Sequence, residues 1–421
     1  MRSGGCASFI RIRPGMAADI FVADSYFDGH QYHGGGPYTV LLSGGAVTQI
    51  LDGDQSASDT LPEIFKSGAA ETHRAGFLMP GMVEAHCHLF LDGGELDLDA
   101  RSQFMKSDID EMLDMARQNV ARMLASGITQ IRDAGDRWGI NHAVRDEINA
   151  ASGVHPDIRS PGLGIRRPKR YGGFMAREVE TGDDIVAAVR EFAETGDDIK
   201  IILTGIIDFA TGTVKGAPQF DTDEARLAVD TAHDCGHLTF AHCSGLAGLE
   251  VAAEAGVDSV EHGFFMTRDI LEVLAEKGIS WVPTYSPVHF QWARPEIIGW
   301  DDHARGEMRK ILDSHLANMA MAVNMGVDVV IGSDAGSHGV VHGKAVIDEI
   351  YFLVEAGVSM AAALAAATSL PRRKLNMEAA DIAAGNPAEL AVLKGSPFDD
   401  RRNLENLTAV YKDGEIRRFG A

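Results

Sequence analysis

Cysteine is scarce in this chain, with four in 421 residues, Cys6, Cys87, Cys235 and Cys243. They are too sparse for a disulfide framework and lack the paired spacing of a zinc ribbon, so a reducing, cytoplasmic setting is expected. Positive charge is also short: 38 Lys and Arg face 61 Asp and Glu, a net charge of -23. Sequence-independent nucleic-acid binding needs clustered cations, which excludes nucleic acid as a general partner. No run approaches the ~20 apolar residues of a bilayer span, so no membrane partner is expected. The N-terminal stretch carries Arg2, Arg11 and Arg13 but no apolar core of signal-peptide length, and Gly4-Gly5-Cys6 lacks the upstream apolar segment of a lipid-attachment site. Met16, just before a strand-like Ala18-Asp19-Ile20-Phe21-Val22, is an alternative start. Internal repeats, coiled coils and low-complexity tracts are missing as well.

What is present is a globular composition, 45% hydrophobic and 24% charged with 46 Gly, enough for one large or two ordinary domains. From about residue 80, β-rich runs alternate with helical patterns, which favours a parallel α/β architecture. Residues 109–124 place Ile109, Met112, Leu113, Ala116, Val120, Met123 and Leu124 on one helical stripe, closed by Gly127. Strands are expected at residues 80–88, 128–132, 157–160, 199–203, 238–242, 259–262, 280–283 and 327–331, with helices at 185–194, 224–235, 246–255, 269–277, 304–325 and 344–355. Eight parallel strands with intervening helices describe a TIM (β/α)8 barrel, whose chemistry sits at the C-terminal strand ends. A doubly wound open sheet is the alternative, but no Gly-x-Gly-x-x-Gly opens an early helix. Short alternating runs at 18–52 and 388–419 predict a small composite β domain from both chain ends. The expected division is residues 1–78 and 376–421 for that domain and 79–375 for the barrel. Gly34-Gly35-Gly36, with His30 and His33, reads as a loop.

Pro80-Gly81-Met82-Val83-Glu84-Ala85-His86-Cys87-His88 reads as an apolar strand ending in two histidines spaced i, i+2, which on a strand share one face. Two imidazoles so placed are able to chelate one metal ion. His242, His262 and Asp334 fall at the ends of the fifth, sixth and eighth expected strands, and Lys200 lies inside the apolar fourth. Cys87 and Cys243 alternate with these residues and are expected to point away from them.

With those residues in place, the chain resembles the metal-dependent amidohydrolase superfamily over nearly its whole length. The resemblance rests on Pro80-Gly81 with His86 and His88, Lys200, His242, Val260-Glu261-His262-Gly263 and Gly332-Ser333-Asp334-Ala335-Gly336. Glu261-His262-Gly263, Val282-Pro283-Thr284 and Gln219-Phe220 look like the branch holding Xaa-Pro and Xaa-Arg metallo-dipeptidases and imidazolonepropionase-like proteins. The resemblance implies a distorted TIM barrel with a composite β-sandwich, and two divalent metals bridged by a lysine carbamylated by carbon dioxide. It implies His86, His88 and Asp334 on one metal, His242 and His262 on the other, and Lys200 as the bridge. Nitrogen and oxygen ligands suit Zn²⁺ first, with Mn²⁺, Fe²⁺ and Ni²⁺ also matching. Two such metals, roughly 3.5 to 4 Å apart, lower the pKa of a shared water and polarise a scissile carbonyl, with Asp334 as the proton shuttle.

The expected activity is hydrolysis of an amide-type C–N bond, linear or cyclic, in a small carboxylate-bearing molecule such as an N-acyl amino acid or dipeptide. A lactonase or ester hydrolase uses the same chemistry, and a mononuclear deaminase is a rival. The deaminase gives Lys200 no metal role, and Cys243-Ser244-Gly245 lacks the Glu those enzymes commonly carry three residues past the histidine. A catalytically silent scaffold is the reading from another class, although all six ligands are kept. Among substrate determinants, the basic run Arg166-Arg167-Pro168-Lys169-Arg170-Tyr171 nominates Arg170 and Tyr171 for capture of an anionic group. Tyr285, His338 and His342 are further candidates to line the pocket. Gly172-Gly173-Phe174 departs from the Gly-Gly-His of the dipeptidase branch, and Asn386-Pro387-Ala388-Glu389-Leu390 departs from a Gly-x-x-Ala-Asp-Leu pattern. Homo-oligomerisation is left open.

Overall fold

The computed structural model describes residues 18–66 and 70–420. Cys6, the three N-terminal arginines and Met16 lie outside the described residues. The chain divides into two compact units, Met1–Gly81 with Glu378–Ala421, and Met82–Met377.

In the first unit both chain ends contribute to one continuous sheet of eight strands. Across it run Glu415–Arg418, Leu407–Lys412, Leu390–Leu393, Glu71–Pro80, Ala18–Phe27, Tyr38–Ser43 and Ala46–Asp52, and Tyr32–His33 pairs with Ala18–Phe27. The ends meet where Leu390 to Leu393 runs antiparallel to Phe77 to Pro80. Ala18–Phe27 is buried almost throughout because each of its faces is covered. Phe21 and Ala23 pack with Leu42, Leu78 and Tyr411 on one side; Ile20 and Val22 pack with Leu41, Leu61 and Phe65 on the other. His33, expected in a loop, lies in the two-residue strand and its Nε2 is 2.7 Å from Asp28 Oδ2.

The second unit is built of parallel strands with helices between them. Met82–Cys87, Ile128–Asp133 and Asp157–Arg159 form one sheet; Ala176–Glu178, Gly164–Arg166, Ile199–Ile202, Thr239–Cys243, Ser259–His262 and Ser280–Val282 form a second; and Ile207–Asp208 with Thr213–Val214 makes a small antiparallel pair. The ladders do not close into an uninterrupted barrel. The expected third strand stops at Arg159 and pairing resumes only at Gly164, while the expected eighth is reduced to a single bridge between Trp281 and Val329. Its backbone bonds are spread over three neighbours: Val330 N donates to Trp281 O, Ala85 N donates to Ile331 O, and Ile331 N turns to Ala366 O in the helix Met360–Ala367.

Helix Ile109–Leu124 shows why the amphipathic segments fold as they do. Asp108 caps it by accepting from Glu111 N, and Met112, Ala116, Val120, Met123 and Leu124 are buried. Ile109, its first residue, is instead 54% exposed. The helices Gly182–Ala193 and Thr222–Asp234 start with complete capping boxes at Thr181 and Asp221. Among the described residues no helix is long and apolar enough to cross a membrane.

Candidate metal centre

The strand ends of the second unit deliver polar groups to one cavity of about 650 Å³, whose lining includes His86, His88, Lys200, His242, His262 and Asp334. His86 lies in Met82–Cys87 and His88 just past it; Lys200 lies in Ile199–Ile202, His242 in Thr239–Cys243, and His262 ends Ser259–His262. Asp334 Oδ1 is 3.8 Å from His86 Nε2 and 3.6 Å from His88 Nε2. Ligand atoms of these three residues all lie within 4.8 Å of one another. The His262 ring is centred 4.5 Å from that of His242 and 5.0 Å from that of His86.

Each imidazole is oriented by a partner away from the cavity. His86 Nδ1 lies 2.5 Å from Glu261 Oε2, His262 Nδ1 2.7 Å from Thr284 Oγ1, and His88 Nδ1 3.3 Å from the Gly135 carbonyl. His242 bonds the Gly205 backbone and keeps an Nε2 without any hydrogen-bond partner. Fixing one ring nitrogen selects the tautomer that leaves the other as a lone-pair donor. Glu261 is itself held by the Arg132 guanidinium at 3.0 Å and the Ser259 hydroxyl at 2.6 Å. On the far side of His86, the buried Glu84 accepts from the backbone N–H groups of His86 and Ser333 and from the Ser333 hydroxyl.

Backbone conformation sharpens the site. His262, Thr284 and Asp334 have φ of 70°, 47° and 55°, the left-handed region that non-glycine residues rarely enter. Gly332 is required by close approach, since a Cβ there would meet Val282 Cγ1 at 2.5 Å and His86 N at 2.9 Å.

Burial keeps the four imidazoles neutral, the form a metal needs. His88 and His242 are pushed down to about 3, by burial first and by Lys200 next. His86 and His262 fall well below the usual histidine range for the same leading reason. Burial lifts Asp334 to about 7, opposed by the Ser337 hydroxyl 3.0 Å away and by Lys200. Lys200 is fully buried, its Nζ has no hydrogen-bond partner and sits 4.5 Å over the Phe240 ring, and burial lowers its pKa to about 8. A donor set of neutral imidazoles, a carboxylate and a partnerless buried amine fits divalent cations in number and chemistry.

The substrate candidates separate. Tyr171 and His338 line the cavity, and so does Phe174, whose ring is 5.7 Å from that of His88. Arg170, Tyr285 and His342 do not line it. Arg170 donates instead to the Ala217 carbonyl, Tyr285 packs on Phe352 with ring centres 4.5 Å apart, and His342 Nε2 lies 3.1 Å from the His88 carbonyl. Arg166 and Arg167 of the basic run are neutralised locally, by Glu178 and Glu224, and Lys169 does not line the cavity. Cys87 and Cys243 are buried and outside the lining. Sequence reasoning missed the segment 91–107, which supplies Leu91, Arg101, Phe104 and Met105 to the cavity wall. Its only signal was a helix cap, Asp97, whose side chain accepts from Asp99 N and Ala100 N.

The family model of the amidohydrolase family matches residues 77–418. The chain belongs to the amidohydrolase family. It is thus a metal-dependent hydrolase of C–N bonds. An uncharacterized protein of Mycobacterium tuberculosis is 30% identical over 319 residues, 75% of this chain and 79% of its own length. Ochratoxinase of Aspergillus niger is 24% identical over 392 residues, 85% of this chain and 78% of that one. Among solved structures, a Xaa-Pro dipeptidase with methionine bound in its active site superposes with a TM-score of 0.80 at 24% identity, covering 96% of this chain and all 100% of the other. The crystal structure of A. niger ochratoxinase gives a TM-score of 0.80 at 20% identity over 96% of each chain. The amidohydrolase family fold is therefore shared with enzymes of different substrates.

Proposed function

We propose that this amidohydrolase cleaves an amide-type C–N bond, linear or cyclic, in a small carboxylate-bearing substrate, using two divalent ions of which Zn²⁺ is the first choice. In this reading His86, His88 and Asp334 would hold one ion, His242 and His262 the other, and Lys200, once carbamylated, would serve both. The observation that carries it is the convergence on one cavity of four imidazoles oriented from behind, one carboxylate and one buried amine with no partner.

Lys200 is suited to carbamylation because burial favours its neutral amine, the form that adds carbon dioxide and releases a proton to become an anionic oxygen donor. Bound divalent ions supply Lewis acidity, which activates water and polarises a carbonyl. Asp334 takes the proton from the attacking water and delivers it to the leaving nitrogen. Ser337 bonds Asp334 Oδ2 and leaves Oδ1 turned toward His86 and His88, so the carboxylate keeps one orientation during both transfers. The apolar wall of Leu91, Phe104, Met105, Met115, Phe174 and Met175 accommodates an apolar substrate body and limits water around the reacting bond.

The test is a hydrolysis panel of N-acyl amino acids, dipeptides, lactams and lactones with Zn²⁺ or Mn²⁺ supplied, beside metal analysis of protein purified without chelator. Amide turnover with close to two metals per chain is expected. Turnover of lactones alone, or fewer than about one metal per chain, overturns the reading.

A further inference from the structure

Arg101 is a cation in the cavity wall whose charge is not matched by any ion pair among the described residues. It sits in the helix Leu98–Phe104, none of whose residues is buried, between the first parallel strand and the helix Ile109–Leu124. Its Nη1 donates to the main-chain carbonyls of Asp92 and Glu95, and its Nη2 donates to Gly336 O at 2.8 Å. Gly336 is two residues past Asp334, and Arg101 and Asp334 line the same cavity.

Asp92 and Glu95 line the same cavity and act on the guanidinium electrostatically, but neither carboxylate forms an ion pair with it, and each has another partner. Asp92 Oδ1 accepts from Gly94 N at 2.8 Å and faces Arg122 at 3.6 Å, while Glu95 Oε1 accepts from Asp97 N at 2.7 Å. A guanidinium has five N–H donors, and three bonds to carbonyls leave donors free without cancelling the charge. Planar, charge-assisted recognition of a carboxylate is what such a group does best. The cations of the basic run offer no such vacancy in the cavity, since Arg166 and Arg167 are ion-paired and Lys169 and Arg170 are outside the lining.

We propose that Arg101 receives the substrate's carboxylate and sets specificity for acids over their neutral analogues. This rests on the carboxylate-bearing substrate proposed above. Its role is positioning and selection; the proton transfers stay with Asp334. Phe104 and Phe174, lining the same cavity, suit an aromatic or branched side chain next to that carboxylate.

The experiment measures binding, so that it stands apart from turnover. Protein carrying Asp334→Asn, its Zn²⁺ content measured and matched in every variant, is titrated calorimetrically with N-acetyl-L-phenylalanine and with its carboxamide, and the measurement is repeated with Arg101→Gln and Arg101→Lys added. The acid is expected to bind about 10- to 100-fold tighter than the carboxamide, the range of a charge-assisted pair. Arg101→Gln should erase that ratio and Arg101→Lys should keep part of it. Equal binding of acid and carboxamide before any change at Arg101 overturns the proposal, as does a ratio that survives Arg101→Gln. A purely structural role would weaken both ligands together and leave the ratio intact, which also overturns it. Failure of the hydrolysis panel bears on the reaction and not on this ratio.

Discussion

His86 shows how much of a ligand's behaviour is decided behind it. Its Nδ1 faces Glu261, and Glu261 also holds the buried Arg132. Glu261→Gln should therefore weaken metal retention about 10- to 100-fold, the usual effect of losing an outer partner. It should also cost on the order of 3 kcal/mol of stability, because Arg132 is left buried without its counter-charge. Competition with a chelator and urea denaturation read the two effects separately; unchanged metal retention would refute the orienting role. Asp334→Asn should lower turnover by at least about 10²-fold with the circular dichroism spectrum intact, and near-normal rates would refute the proton shuttle. The histidines, Lys200 and Asp334 were legible in the sequence because each ends or interrupts an apolar run. Glu261 was visible as a motif letter, but its partner His86 is 175 residues away, and that pairing depends on strand order rather than on any local pattern. Arg101 lies in a polar stretch with no periodicity, whereas Arg170 stands in a conspicuous basic run; charge density in a sequence does not reveal which guanidinium reaches the cavity.

At the level of elements, the helix Ile109–Leu124 is legible because an amphipathic stripe is local, whereas the capping boxes at Thr181 and Asp221 open their helices ahead of the starts expected from apolar spacing alone. The eighth strand was read less well. Residues 327–331 are apolar enough to be a strand, yet their hydrogen bonds are divided among two strands and a helix end. The helix Lys344–Glu355 carries a further buried carboxylate, Glu349, which accepts from Tyr285 N, Ser286 N and the Ser286 hydroxyl. Burial pushes its pKa up to about 8. The unfolded chain releases this proton near 4.3, so between about pH 4.3 and 8 the folded state binds more protons and stability falls as pH rises. Glu349→Gln should remove that component. Urea midpoints compared at about pH 5, 6.5 and 8 should then vary less in the variant than in the parent; identical pH dependence would contradict the shift.

For the whole molecule, the composite β unit makes the two chain ends interdependent. A chain ended at Met377 lacks Leu390–Leu393, Leu407–Lys412 and Glu415–Arg418, so Phe77 to Pro80 becomes an unpaired edge beside exposed Leu78. Such an edge is a template for aggregation. Size-exclusion chromatography should show aggregates for the shortened chain, and a monodisperse, folded product would count against the shared sheet. Metal binding should also stabilise the whole fold by about 2.7 kcal/mol when free metal is 100 times the dissociation constant. Differential scanning calorimetry with and without chelator measures this, and an unchanged midpoint would contradict metal binding in the folded state.

Nine of the 22 residues lining the cavity come from the single excursion 91–107. Gly93 pins its start, since a Cβ there would meet the Val340 carbonyl at 1.8 Å, and Asp108 caps the helix that follows it. The cavity wall and the polar cluster are thus carried largely by separate stretches of chain. A change at Phe104 or Met105 is therefore expected to alter what fits against the wall while leaving His86, His88, Lys200, His242, His262 and Asp334 in place.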